Sequence, residues 1–147
     1  MSQMGAFKVS GEVARIESPR TFVRIDGMWV DTGSELSWLP RGTLEEAGVD
    51  IVKKDLAFVM ADGRELTRSV GYAILRVGEF ETVDEVVFAE PGDLRLLGAR
   101  TLEGFGASVD PRGKRLVASG PHVVAEAAAV VGPSTGRHAR RAPARVF

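Results

Sequence analysis

The sequence predicts a mostly-β domain with one or two short helices, and three observations carry that prediction. Seventeen glycines and seven prolines are spread along the 147 residues. Short runs rich in Val, Ile, Phe and Trp lie between them. Turn signals recur roughly every ten residues, the spacing of short antiparallel strands.

Taken in order, Phe7 to Ile16 alternates imperfectly and predicts a first strand, followed by a turn through Ser18-Pro19. Thr21 to Ile25 predicts a second strand. Asp26-Gly27 predicts a hairpin turn, because its glycine accepts positive φ at no steric cost. Met28 to Val30 then leads directly into Asp31. After Pro40, Thr43 is positioned to cap a short helix over Leu44 to Ala47, with Glu45 and Glu46 in its first turn and Gly48 ending it. Strands resume at Leu56 to Met60. Asp62-Gly63 predicts a second hairpin, with a return strand from Glu65 to Val77 and a further turn at Gly78. Val83 to Phe88 predicts another strand, broken by Pro91-Gly92-Asp93. Leu94 to Gly98 is an apolar run closed by glycine. A short helix near Thr101 to Gly104 follows, then two strands, Ala107 to Val109 and Arg115 to Ala118, around the turn at Pro111 to Gly113.

One globular domain fits the length, and 44% hydrophobic residues suffice for a modest core. The domain is expected over residues 1–119. Residues 120–131, rich in Ala and Val, predict a C-terminal extension that could associate with a dimer. Residues 132–147 carry Arg137, Arg140, Arg141 and Arg145 among Pro, Gly, Ser and Ala, the composition of a flexible basic tail. A formal net charge of -1 gives no global field toward nucleic acid or an anionic membrane. The absence of cysteine excludes disulfides, thiolate nucleophiles and Cys-based zinc sites. No signal-peptide pattern opens the chain and no apolar run approaches the ~20 residues of a membrane span, so a cytoplasmic protein is expected.

Chemistry concentrates at Trp29-Val30-Asp31-Thr32-Gly33-Ser34, followed by Leu36, Trp38, Leu39 and Pro40. An acid placed directly after an apolar strand needs hydrogen bonds or a partner. Gly33 allows its backbone to approach the carboxylate and donate an N–H. The Ser34 hydroxyl can reach the outer carboxylate oxygen, and the Thr32 hydroxyl points the other way. Further along, Leu96-Leu97-Gly98 predicts a strand packed beneath the Asp31 loop, where glycine permits close backbone approach. Neither His122 nor His138 has the spacing of a metal site, and Ser34 lacks a histidine base, so no metal, cofactor or serine-hydrolase chemistry is expected.

Three stretches in order resemble the bacterial branch of the retropepsin-like, retroviral-type aspartic proteases (clan AA): VDTGSELSWLPRGTLEEAGV, FVMADGRELTRSVGYAILRVG and VFAEPGDLRLLGARTLEGFGASVDPRGKRLV. The resemblance covers roughly Phe7 to Val117. It implies a closed β-barrel acid-protease fold with one lobe per chain. It also implies that Asp31 is the catalytic carboxylate, that Thr32 locks two active-site loops across a dimer and that Gly33 contacts substrate backbone. Ser34 and Glu35 would line the substrate site, Leu96, Leu97 and Gly98 would form its floor, and the hairpin at Ala61, Asp62, Gly63 and Arg64 would be the flap. The chain departs from the retroviral pattern in Ser34, where Ala is usual, and in Ala99, where Arg is usual. An ion pair of Glu35 with Arg100 or Arg95 stands beside the alternative of solvated surface charges. The flap tip has no aromatic residue, and Tyr72 on the return strand is expected to pack.

Hydrolysis at such a site needs two carboxylates facing one water, one acting as base and the other, protonated, polarising the scissile carbonyl. Only one Asp-Thr-Gly is present, since Asp26, Asp62 and Asp110 lack the following Thr-Gly. The second acid is therefore expected from another copy around a two-fold axis. The expected function is a homodimeric aspartic endopeptidase acting on a peptide or protein substrate. The alternative is a retropepsin-like dimer that binds proteins or peptides with weak or no catalysis.

Overall fold

The computed structural model describes residues 6–120. The extension and basic tail predicted beyond Gly120, with both histidines, lie outside the described residues. The described chain is mostly β, as the sequence predicts, with two seven-residue helices.

The first hairpin pairs β1 (Lys8–Ala14) with β2 (Val23–Val30). Val9 faces Met28 and Gly11 faces Ile25, so β2 uses one residue more than β1 across this interval. That extra residue is a β-bulge at Asp26-Gly27. Gly27 adopts φ +57°, and its N–H donates to Ser10 Oγ at 3.2 Å. The predicted hairpin at Asp26-Gly27 is thus corrected. The dipeptide does supply positive φ, but β1 offers partners on both sides of it, so the strand bulges and continues to Val30.

The next strand, β3 (Ser37–Pro40), is not foreseen in the sequence. Helix α1 (Arg41–Ala47) starts directly after it, so Thr43 lies inside the helix and Pro40 occupies the cap position without a side-chain hydrogen bond. Glu45 and Glu46 consequently fall beyond the first turn. The C-terminus is as predicted: Gly48 is left-handed at φ 82°, and the N–H groups of Gly48 and Val49 bond Glu45 O and Leu44 O in the nested pattern that closes many helices.

Strands β4 (Lys53–Val59), β5 (Glu65–Val77) and β6 (Phe80–Ala89) form a meander. A two-residue turn beginning with Gly78 at φ +60° joins β5 to β6, the glycine-first form favoured in tight hairpins. Strand β7 (Leu96–Leu97) lies between β2, which it parallels, and β3, which it opposes. Helix α2 (Ala99–Phe105) follows, and β8 (Ala107–Asp110) pairs with β9 (Arg115–Ala118) in a separate two-stranded sheet.

The main sheet has the order β1-β2-β7-β3-β6-β5-β4. Because β1 also pairs with β5, Val13 opposite Leu75, six strands form a ring and β4 is attached outside it. The thirteen-residue β5 makes this possible: its first half pairs with β4, its second with β6 and β1. One apolar cluster includes Val13, Ile25, Leu39, Leu75, Phe88 and Leu97. A second holds Leu36, Trp38, Val70, Val87, Ala89 and Leu96, with Phe58, Met60 and Leu66 of the β4–β5 hairpin packed on it. Adjacent Leu96 and Leu97 thus face different clusters, as strand alternation requires. No helix among the described residues is long and apolar enough to cross a membrane.

A largely buried ion pair ties β5 to the loop after β6. Arg68 Nε and Nη2 donate to the two oxygens of Asp93 at 2.7 and 2.8 Å, and Glu90 N–H adds a bond at 2.8 Å. The Arg68 hydrogen bonds hold the Asp93 carboxyl below its usual range. Arg68→Ala is expected to cost about 2 kcal/mol, the scale of charge-assisted hydrogen bonds. A depressed folded pKa stabilises above the unfolded value near 4 and is lost as pH falls through the folded value. Chemical denaturation at neutral and strongly acidic pH checks this: the difference between wild type and variant should shrink at the acidic end.

Candidate active site: the Asp31 loop

Asp31 stands one residue beyond β2, partly buried, at the mouth of a loop built by three segments. Its N–H donates to Leu97 O at 3.0 Å, extending the parallel pairing of β2 with β7 past Val30. Its own carbonyl accepts Ser34 N–H at 3.1 Å, which closes the Thr32-Gly33 turn. Gly33 N–H reaches back to Asp31 Oδ1 at 2.9 Å, as the sequence predicts. Among the described residues this is the one hydrogen bond to the carboxylate, and it leaves a partly exposed acid with a free oxygen edge.

The floor beneath the loop is close-packed backbone. A Cβ on Gly98 would lie 2.5 Å from Leu36 O, 2.7 Å from Leu36 C and 2.8 Å from Ser34 O, distances no side chain tolerates. The predicted close approach is therefore real, and its partners are the carbonyls on the far side of the Asp31 loop. Carbonyls of the same segment, those of Ser34 and Glu35, serve the start of α2, which has no side-chain cap. Ala99 N–H donates to Ser34 O at 2.7 Å and Arg100 N–H to Glu35 O at 3.1 Å. Donors that a helix start leaves unpaired are satisfied by the loop.

The Ser34 hydroxyl departs from the expectation. It donates to Leu36 O at 2.8 Å and so braces the loop, instead of bonding the carboxylate. Thr32 and Gly33 are exposed. Glu35 is also exposed, and its side chain comes no nearer than 3.9 Å to Arg100, while Arg95 donates to Asp26 O. Arg100 lies closer to Glu85, at 3.6 Å.

Ala61, Asp62 and Gly63 form the exposed tip of the β4–β5 hairpin, where the predicted turn is found. Asp62 accepts Arg64 N–H at 3.0 Å and pairs with Arg64 Nε at 2.8 Å. Backbone bonds Met60 N–H to Arg64 O and Gly63 N–H to Met60 O close the turn. Just below its tip the hairpin packs on Trp38, whose ring meets Phe58 edge-on at 5.2 Å. Trp29, Leu36 and Leu96, which flank the Asp31 loop, belong to the same apolar cluster. Tyr72, expected to pack, is 40% exposed on β5.

Sequence reasoning missed three polar groups under the loop. Ser37 and Thr101 are fully buried, and their hydroxyls lie 2.7 Å apart. Ser37 Oγ accepts Gly98 N–H at 2.9 Å, and Thr101 Oγ1 donates to Asp84 Oδ2 at 2.9 Å. The available signal was Ser37 within the apolar run Leu36 to Leu39, since a buried hydroxyl there needs a partner. Elsewhere, an open cleft of about 380 Å³ lies between the start of α1 and the β6–β7 loop. It includes no residue of the Asp31 loop, and its Arg41 and Glu90 are paired at 2.7 Å. Among the described residues no group of three or more His, Asp or Glu side chains is placed to hold a metal ion.

No protein-family model matches the chain, and no curated protein matches it. Among solved structures it is similar to a foamy viral protease–reverse transcriptase determined with double-stranded DNA, at 17% identity and a TM-score of 0.43. That similarity covers 65% of this chain and 15% of the viral one.

Proposed function

We propose that the chain is an aspartic endopeptidase that works as a homodimer, each copy contributing Asp31. The observation that carries this reading is the seating of that acid. Its backbone is fixed by Leu97, its Oδ1 is bonded by Gly33 N–H, and its carboxylate remains partly exposed. With a single Asp-Thr-Gly in the sequence, the facing carboxylate comes from a second copy. Two like charges a few ångströms apart share one proton, so one acid draws a proton from the attacking water while the other polarises the peptide carbonyl. In this reading exposed Thr32 reaches across the dimer axis and the Gly33 backbone meets the substrate chain. Ser34 and Glu35 border the substrate, Leu97 and Gly98 underlie the acid, and the Ala61 to Gly63 tip closes from the other side. The flap assignment is supported by the apolar cluster shared between the hairpin below its tip and the flanks of the Asp31 loop. Strand β4 lies at the sheet edge, the kind of edge along which an extended peptide adds as a strand.

The test is sedimentation run beside peptide-library cleavage from acidic to neutral pH. A dimer is expected, with specific activity falling as dilution dissociates it. A strict monomer that still hydrolyses peptides overturns the shared site. A dimer that binds peptides and leaves them intact identifies a recognition module instead.

A further inference from the structure

We propose that Asp84 is a positioning residue for the Asp31 loop, acting through Thr101, Ser37 and the peptide group between Leu97 and Gly98. The proposal rests on the reading of Asp31 as the working carboxylate. The observation behind it is a continuous chain of hydrogen bonds, buried at Ser37 and Thr101 and part-buried at Asp84. Asp84 Oδ2 accepts from Thr101 Oγ1 at 2.9 Å, Thr101 and Ser37 hydroxyls meet at 2.7 Å, and Ser37 Oγ accepts Gly98 N–H at 2.9 Å.

Counting hydrogens fixes the direction of this chain. Thr101 has one hydroxyl hydrogen, and it goes to Asp84. The hydrogen between Thr101 and Ser37 therefore belongs to Ser37. The order is Gly98 N–H to Ser37, Ser37 O–H to Thr101, Thr101 O–H to carboxylate, every donor pointing toward Asp84. Such aligned chains polarise one another. The chain ends on a peptide group gripped at both edges. Its N–H is the Gly98 donor to Ser37, and its carbonyl is Leu97 O, which accepts Asp31 N–H at 3.0 Å. Any tilt of that peptide moves the seat of Asp31.

Protonation of Asp84 reverses the logic. A neutral acid donating to Thr101 frees the Thr101 hydrogen to turn toward Ser37, and the Ser37 hydrogen then has no acceptor in a fully buried position. Burial raises the Asp84 carboxyl above its usual range, opposed by the Glu85 N–H and the Thr101 hydroxyl. The charged groups facing it are Arg100 of α2 at 4.0 Å and Glu85 beside it on β6. Glu85 is met in turn by Lys53 of β4 at 3.3 Å and by Arg100, which Glu35 also approaches. The side chain of Asp84 is 10% exposed, so solvent screens its change of charge only weakly.

The test is NMR titration of the full chain carrying Asp31→Asn, which removes the titration of Asp31 itself. The Gly98 amide and the amide at position 31 are expected to shift with the same midpoint as the Asp84 carboxyl carbon. Adding Thr101→Val, which removes the hydroxyl between Ser37 and Asp84 and leaves the Gly98 N–H bond to Ser37 in place, should uncouple both amides while Asp84 still titrates. Thr101→Ser should restore the coupling. A Gly98 amide that ignores the Asp84 midpoint overturns the proposal without any variant at Thr101. Coupling that survives Thr101→Val overturns it as well. None of these readouts requires peptide cleavage, so an inactive protein would sink the protease reading while leaving this result to stand or fall separately.

Discussion

Peptide cleavage is expected to fall by roughly 10²- to 10⁴-fold on Asp31→Asn, the usual contribution of positioned acid–base groups, with fold and dimer intact. The substitution removes the ionisable proton and little else. Gly33 N–H keeps an acceptor, because the Asn side-chain carbonyl can occupy the place of Oδ1. The bond from the residue-31 N–H to Leu97 O involves only backbone. Rates on a cleavable library peptide, read beside circular dichroism and sedimentation of the same samples, check all three statements. Equal cleavage by the variant would place the activity elsewhere or in a contaminant.

Gly98→Ala should be strongly destabilising, by about 3 kcal/mol, the upper part of the overpacking range, or a Tm fall of about 10 °C. The new methyl would meet Leu36 O at 2.5 Å, Leu36 C at 2.7 Å and Ser34 O at 2.8 Å, and all three atoms are backbone. No rotamer change relieves such contacts, so β7 or the Asp31 loop must move. The same shift strains the bonds from Ala99 and Arg100 to the loop carbonyls, so cleavage should fall together with stability. Gly42→Ala is the control. Gly42 lies within α1, and a methyl added there would meet nothing within 4 Å, so Ala should be neutral or stabilising by about 0.5 kcal/mol. Thermal unfolding of the two variants in parallel decides the matter, and a Gly98→Ala protein as stable as wild type would refute the close-packed floor.

Two identical dipeptides show what could be read from the sequence. Asp62-Gly63 makes the predicted hairpin and Asp26-Gly27 makes a bulge, although both glycines have positive φ. Local chemistry specifies the dihedral, whereas reversal of the chain depends on which strand lies alongside. For the same reason the strand character of β5 is legible, while its partition among β4, β6 and β1 is not. At the site, Asp31, Gly33 and the Leu97-Gly98 floor are legible because apolar strand, acid and glycine occur in a meaningful order. Thr101 and Asp84 are not, since each acquires its role only when α2 packs on β6 and brings Thr101 to Asp84 and to Ser37 of β3. The Ser34 hydroxyl goes elsewhere than expected because a nearby carbonyl, Leu36 O, outcompetes the carboxylate for it.

The acceptor for the Asp31 amide lies far downstream, on β7. A polypeptide emerging from the ribosome therefore carries Asp31 early but cannot seat it until Leu97 has been synthesised and threaded between β2 and β3. Every fragment that stops short of that residue holds the acid without its anchor. The placement delays the final geometry of the Asp31 loop until most of the ring has been made.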